Sequence, residues 1–310
     1  MAERILVVKL GALGNMVLSF SSFAAIRQHH RGAEITLLTT APYAEWMARA
    51  PWFDRVLVDE RPSWWDLARV LRLRRLLAAG RYTRVYDLQT STRSSWYFRL
   101  FPVSTRPEWS GIASGCSHPD RDPERGRIHD IDRQHGQLRQ AGLTVIPPVD
   151  LSWSDADISG FALPSPFALL VPGSSPHRPA KRWPAMRYRA VAEALQARGI
   201  TPVVLGAAAE QSLGAELTAG GIGIDLCGAT ELDQLAPLAR AAALALGNDT
   251  GPMHLIAAAG CPSLVLFSAD SDPARCAPRG ASVRVLRRDD LARLPVEEVM
   301  AALPELELAA

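Results

Sequence analysis

The chain has 310 residues, 48% of them hydrophobic and 21% charged, with a formal net charge of +2. That length corresponds to about two domains of ordinary size, and the apolar content is enough to build substantial cores, which excludes a disordered chain. The charge is too small for a global basic field, so nucleic acid is not the expected partner and any anion site has to be local.

The four cysteines, Cys116, Cys227, Cys261 and Cys276, show neither paired metal spacing nor C-x-x-C, and free thiols in a reducing compartment are the simpler account. The opening MAERILVVKL enters a strand without signal-type regions, and no apolar run is long enough to cross a bilayer. The expected location is cytoplasmic, and no metal site is expected.

Arg4 to Leu10 (RILVVKL) reads as a strand, followed by Gly11-Ala-Leu-Gly14-Asn15 and a helical pattern from Met16 to about His29. The G-x-x-G spacing is neither the dinucleotide fingerprint nor a Walker A loop, whose lysine would follow the glycines instead of preceding them at Lys9. The next strand, Glu34 to Thr39, ends without the acidic residue that holds an NAD ribose. A dehydrogenase reading loses on both counts; a nucleotide-sugar epimerase, which shares the sheet plan but would want the Rossmann fingerprint absent here, stays as a weaker reading that bound NAD would revive. What remains is a loop that a substrate can approach closely, with Asn15 at the mouth of a helix.

Arg55 to Val58 and Arg84 to Leu88 read as strands, with a helix from Trp64 to Ala79 between them. That helix begins Trp64-Trp65, carries Leu67, Val70, Leu71 and Leu77, and presents Arg72 and Arg75, with Arg69 and Arg74 intruding on the apolar arc. Its ordinary reading is a domain helix with solvated arginines; the other is a basic amphipathic helix for an anionic membrane surface or lipid substrate. Gln89 to Trp96 supplies hydroxyls and a cation after the strand at Asp87. From Pro102 to about Asp132 clustered Gly, Pro, Ser, Asp and Arg predict a long loop or lid, then a helix from Gln134 to Gly142. Leu143 to Pro166 reads as a linker, which divides the chain into domains 1–155 and 156–310.

The second half opens with a strand, Phe167 to Val171, then Pro172-Gly173-Ser174-Ser175 and a basic segment through Lys181-Arg182-Trp183-Pro184. Glycine and serine after a strand, with lysine and arginine in the next turn, make a phosphate clamp. A helix from Ala185 to Arg198 and a strand from Ile200 to Leu205 follow, then Gly206 and Glu210, whose carboxylate suits ribose or sugar hydroxyls. Asp225 to Cys227 and the turn Gly228, Ala229, Thr230 form another strand end.

The most informative stretch is Gly247 to Phe267 (GNDTGPMHLIAAAGCPSLVLF), where the strand Ala241 to Leu246 gives way to a short helix with Pro252 in its first turn, then to the strand Ser263 to Phe267. The free N–H groups and dipole of that helix start favour an anion such as a diphosphate. Gly251 permits close approach, Thr250 adds a hydroxyl, and Asp249 and His254 bracket the turn. The plain alternative is that Asp249 or Thr250 caps the helix and His254 is a satisfied buried histidine. Asp270-x-Asp272 has the spacing of a metal-binding pair but the composition of an ordinary turn.

These strand ends converge as a nucleotide site in an open α/β sheet does. Two Rossmann-like, doubly wound domains facing across a cleft describe the GT-B architecture of sugar-nucleotide glycosyltransferases. The sequence resembles the heptosyltransferases of glycosyltransferase family 9 over nearly its whole length, above all in Asp249-Thr250-Gly251-x-x-His254, with support from PGSS, Lys181-Arg182-Trp183-Pro184, Leu226-Cys227-Gly228 and the Ser268 to Pro273 turn. The resemblance implies an inverting, metal-independent transferase that uses a nucleotide sugar, ADP-heptose, as substrate with no cofactor, working at the cytoplasmic face of the inner membrane. Ser174, Ser175, Lys181, Glu210, Ala229, Thr250, Gly251 and His254 would bind the donor, with Lys181 on the diphosphate and Asp249 near the sugar. The first domain would take a lipopolysaccharide-core or other lipid-linked glycan. The chain departs from the pattern at Asn15, where the family has Gly-Asp and that Asp is the proposed base. An amide orients a hydroxyl but does not take its proton. Either another carboxylate, Asp87 or Glu108, serves, or the protein is a non-catalytic sugar-nucleotide or glycan-binding relative.

Overall fold

The apolar runs become the inner strands of two parallel sheets. In a computed structural model, which describes residues 3–175 and 177–304, β1 (Arg4–Val8) and β7 (Phe167–Val171) lie at the middle of their sheets, and Ile5–Val8 and all of β7 are buried. This is why they read as continuous hydrophobic runs instead of alternating ones. The chain forms two units, Met1–Trp153 and Ser154–Ala310. The first adds β2 (Glu34–Thr39), β3 (Arg55–Val58), β4 (Arg84–Asp87), β5 (Glu108–Gly111) and β6 (His118–Pro119), in the order β3-β2-β1-β4-β5-β6. The second adds β8 (Thr201–Val204), β9 (Ile224–Asp225), β10 (Leu244–Asn248), β11 (Ser263–Phe267) and β12 (Val283–Arg287), in the order β12-β11-β10-β7-β8-β9. Counted within its unit, each sheet runs 3-2-1-4-5-6, the doubly wound order, and its topological switch point lies between the first and fourth strands.

The structure corrects several expectations. The first helix is broken: Leu13–Val17 and Phe20–His29 are separate, and between them the Ser19 hydroxyl donates to the Asn15 carbonyl at 2.8 Å, the local back-bonding by which serine interrupts helices. The stretch read as a loop from Pro102 to Asp132 contains β5 and β6, and the helix beyond starts at Asp130, not Gln134. Trp64 and Trp65 precede their helix, Leu67–Ala79, whose N-cap is Asp66, accepting from the Arg69 N–H at 3.1 Å. The strand expected to stop at Leu246 runs on to Asn248. Cys227 lies beyond β9 in a turn, because the Asp225 carboxylate accepts its N–H at 2.8 Å and bends the chain.

At the switch point of the first unit the turn after β1 depends on Gly11. Its φ is +99°, and a Cβ there would lie 2.4 Å from the Tyr43 ring. Both the left-handed backbone and the close ring call for glycine.

Candidate functional site

In the second unit the switch point lies where β7 and β10 end. Asn248, the last residue of β10, is fully buried and joins three segments. Its Oδ1 accepts from the Trp183 N–H at 3.1 Å and the Tyr188 hydroxyl at 3.0 Å, and its Nδ2 donates to the Pro172 carbonyl at 2.6 Å. The loop after β7 and the basic segment are thereby fixed to the strand that leads into Asp249. Replacing Asn248 with alanine strands buried donors and an acceptor, and we expect a loss of about 3 kcal/mol in chemical unfolding.

Asp249 and Lys181 meet there. Lys181, at the end of the short turn Pro179–Lys181, donates from Nζ to Asp249 Oδ2 at 2.5 Å, and the Ser271 hydroxyl donates to the same oxygen at 2.6 Å. His254 Nε2 lies 3.8 Å from Oδ1. Burial by itself would push the Asp249 carboxyl up, but His254, Lys181 and Ser271 together hold it down at about 2. It is therefore a permanently charged anchor for the lysine and a poor proton acceptor at neutral pH.

The capping alternative does not hold. Thr250 is the N-cap of helix Gly251–Ala258 with no hydrogen bond from its side chain to the helix start, and Asp249 is turned to Lys181 and Ser271. Nor is His254 satisfied: it is buried, and its Nδ1 has no hydrogen-bond partner among the described residues. A helix start without a side-chain cap, an imidazole nitrogen unpartnered among the described residues and a held lysine are grouped here, and such donors can meet an anion.

The remaining residues named from the sequence gather beside it. Ser174 is buried and receives Arg182 Nε at 3.2 Å, while Arg182 Nη2 donates to its carbonyl at 3.1 Å; Ser175 is exposed. Glu210 accepts the Ala207 N–H at 2.9 Å and lies across Gly173, where a Cβ would fall 1.7 Å from Glu210 Oε1. Ala229 is exposed in the turn after β9, which is tied to the turn after β8 by the Gly228 N–H donating to the Gly206 carbonyl at 2.8 Å. Pro172, Arg182, Trp183, Glu210, Ser212 and Leu213 line a cavity of about 300 Å³. Asn248 and Ser271 are the participants to which sequence reading assigned no individual part; an asparagine ending an apolar strand was the available signal for the first. The acidic pair Asp270-x-Asp272 serves its own turn. Asp272 caps the short helix Pro273–Cys276 by accepting the Ala274 N–H at 3.0 Å, and Ser268 Oγ accepts the Asp270 N–H at 3.2 Å.

In the first unit the corresponding edge holds Asn15, exposed in helix Leu13–Val17. Lys9 is buried and donates to the Leu88 carbonyl at 3.1 Å; burial and then Arg133 lower it to about 8 against the opposing pull of Asp130 and Asp87. Asp87 ends β4 and is fully buried, which pushes its carboxyl up to about 7 although the Thr90 N–H donates to it at 3.0 Å. Of the two carboxylates considered in place of an acidic residue at position 15, Glu108 is ruled out by position: it begins β5, at the amino edge of the sheet, and is paired with Arg84. Asp87 is on the correct edge but closed to solvent.

The fold defines the chain as a GT-B protein, with Lys181, Asp249 and His254 grouped at the carboxyl edge of the second unit's sheet. Residues 70–299 match the family model for glycosyltransferase family 9 (heptosyltransferase), and the chain belongs to that family. It is 26% identical over 308 residues to lipopolysaccharide heptosyltransferase 2 of Escherichia coli K12, covering 92% of this chain and 88% of that protein. Its fold is similar to the structure of E. coli ADP-heptose LPS heptosyltransferase II, with a TM-score of 0.78 at 22% identity, covering 96% of each chain. It is also similar to E. coli heptosyltransferase WaaC with ADP, with a TM-score of 0.75 at 20% identity, covering 96% of this chain and 98% of that one.

Proposed function

We propose that this protein is an inverting, metal-independent glycosyltransferase that moves a heptose from ADP-heptose to a lipopolysaccharide-core or related lipid-linked glycan. The observation that carries this is the Lys181–Asp249 pair beside the helix start at Gly251. Family membership, relatives named as lipopolysaccharide heptosyltransferases and a similar structure bound to ADP support the choice of donor.

The acceptor hydroxyl oxygen bonds to the anomeric carbon from one face as the bond to the diphosphate breaks on the other, the configuration inverts, the bonding pair leaves with the diphosphate, and the hydroxyl's proton passes to water because the Asn15 amide does not take it. Lys181 and the N–H groups opening helix Gly251–Ala258 take up the charge that develops on the leaving diphosphate, the part a metal plays elsewhere. Asp249 keeps Lys181 in place; its depressed carboxyl makes it a positioning residue and not the base. Thr250 and His254 Nδ1 are donors for the phosphates, and Glu210 accepts from ribose hydroxyls. In the first unit Asn15 orients the attacking hydroxyl. Cys116, Cys227, Cys261 and Cys276 are free thiols, in keeping with a cytoplasmic protein.

The test is calorimetric titration of ADP and ADP-heptose, then transfer to a truncated lipopolysaccharide acceptor with and without EDTA. Both nucleotides should bind and the rate should be unchanged by the chelator. Absence of binding by either nucleotide overturns the donor assignment, and a rate restored only by added metal overturns the metal-independent mechanism.

A further inference from the structure

Helix Leu67–Ala79 (LARVLRLRRLLAA) carries four arginines and no acidic residue, and it buries only Leu73 and Leu77. An ordinary domain helix turns its apolar stripe to the core; this one has a second stripe facing out. Leu67 is 68% exposed, Leu71, one turn further on, is 45% exposed, and Trp65 just before the helix is 84% exposed. Arg69 pairs with Asp66 at 3.3 Å, whereas Arg72, Arg74 and Arg75 have no acidic partner among the described residues. Beside the stripe, Val58, Pro62, Leu73 and Leu76 form an apolar groove of about 190 Å³ with Arg69 and Arg72 at it. Of the two acidic residues in that groove, Asp59 is buried and accepts from the Tyr97 hydroxyl, which leaves Glu60 as one exposed carboxylate against the arginines of the helix.

The location is specific. A helix that connects two parallel strands runs back across the sheet, so Trp65 and Leu67 lie at the carboxyl edge of the first unit, the edge that carries Asn15. Trp96 is 41% exposed and comes from the segment after β4 at the same edge. It packs against Trp64 with centroids 4.4 Å apart and the rings tilted by 39°, and the Arg93 guanidinium lies 5.1 Å from the centre of the Trp64 ring.

We propose that this face docks on an anionic lipid bilayer, with Trp65 and Leu67 in the headgroup boundary and Arg72, Arg74 and Arg75 on lipid phosphates. The charge selects the occupant. A second copy meeting the same patch about a two-fold axis would set arginines against arginines, whereas a surface of lipid phosphates matches them. The use of such a face rests on the proposed lipid-linked acceptor, since docking would bring Asn15 to the membrane; the binding itself does not.

The full chain is sedimented with phosphatidylcholine vesicles with and without phosphatidylglycerol. We expect binding only when phosphatidylglycerol is present, weakening as salt is raised. Arg72→Gln with Arg75→Gln should lower partitioning by about tenfold or more, and Trp65→Ala should lower it several-fold. Arg31→Gln with Arg198→Gln, which removes the same charge elsewhere, should bind as the parent does. Equal losses in the two arginine pairs, no binding to phosphatidylglycerol vesicles, or a dimer in sedimentation velocity that the Arg72 and Arg75 changes dissolve would each overturn the proposal. ADP titration of the same variants keeps the outcomes separate: unchanged ADP affinity alongside lost vesicle binding is the expected pattern, and a failure to bind vesicles leaves the donor reading intact.

Discussion

Lys181→Ala lowers kcat/KM for heptose transfer by about 10²- to 10³-fold, the range seen when one preorganised donor to a developing negative charge is removed. The loss falls mainly on kcat, because the diphosphate carries more charge as it departs than it does in the bound donor. A second effect follows from burial. The lysine and its partner carboxylate are 13% and 6% exposed, so the variant leaves Asp249 buried without its main cation, at a cost of several kcal/mol. Lys181→Ala with Asp249→Asn removes that penalty, and the double variant should recover stability without recovering rate. A single variant that transfers at the parental rate would remove Lys181 from the leaving-group role. The parent has its own acid signature. The Asp249 carboxyl, at about 2 in the folded chain, lies below its ordinary value of 3.8, so the unfolded chain binds more protons between those limits. About 2 kcal/mol of stability is present above pH 4 and is lost as pH falls toward 2. The Asp249→Asn variant lacks that limb.

Asn15→Asp raises kcat by about 10²-fold or more, because a positioned general base contributes about 10²- to 10⁴-fold and the parental amide has no basicity. The side chain is exposed in the first turn of helix Leu13–Val17, so the substitution adds a carboxylate without burying one. The variant's rate should fall at low pH as that carboxylate protonates, and the parent should lack the same limb. Steady-state kinetics across pH read both effects. If the parent already turns over as fast as the variant, the base lies elsewhere. Asp87 would then have to be reached through a change that opens it, because it is fully buried here. If ADP-heptose binds to both and neither transfers, the acceptor is wrong.

Much of the fold was legible because its signals are local. Phe167–Val171 and Ser263–Phe267 are short apolar runs closed by proline, glycine or serine, and the structure places strands at those residues. β5 was not legible, since Glu-Trp-Ser-Gly has no apolar run; it is a strand because Val85 and Tyr86 of β4 supply parallel partners to Trp109 and Ser110. The break at Ser19 was hidden because the hydroxyl that interrupts the helix sits in a pattern otherwise periodic enough for one continuous helix.

The site divides in the same way. The chain itself determined which chemistry was on offer: Lys181, Asp249, Thr250 and His254 stand next to glycine turns after apolar strands, where backbone N–H groups are free to meet an anion. Sequence also marked Asn15 as an amide where the resemblance implies a carboxylate. Tertiary structure decided what each group does. Lys181 and Asp249 are 68 residues apart in sequence and 2.5 Å apart in space, and that contact makes Asp249 the anchor of the lysine. Burial separated Asp87 from Asn15, strand direction sent Glu108 to the wrong edge, and Asn248 became the tie between loops. Residue type and local backbone preference are written in the order of the chain; pairing, solvation and the pKa that follows from them depend on neighbours that only folding supplies.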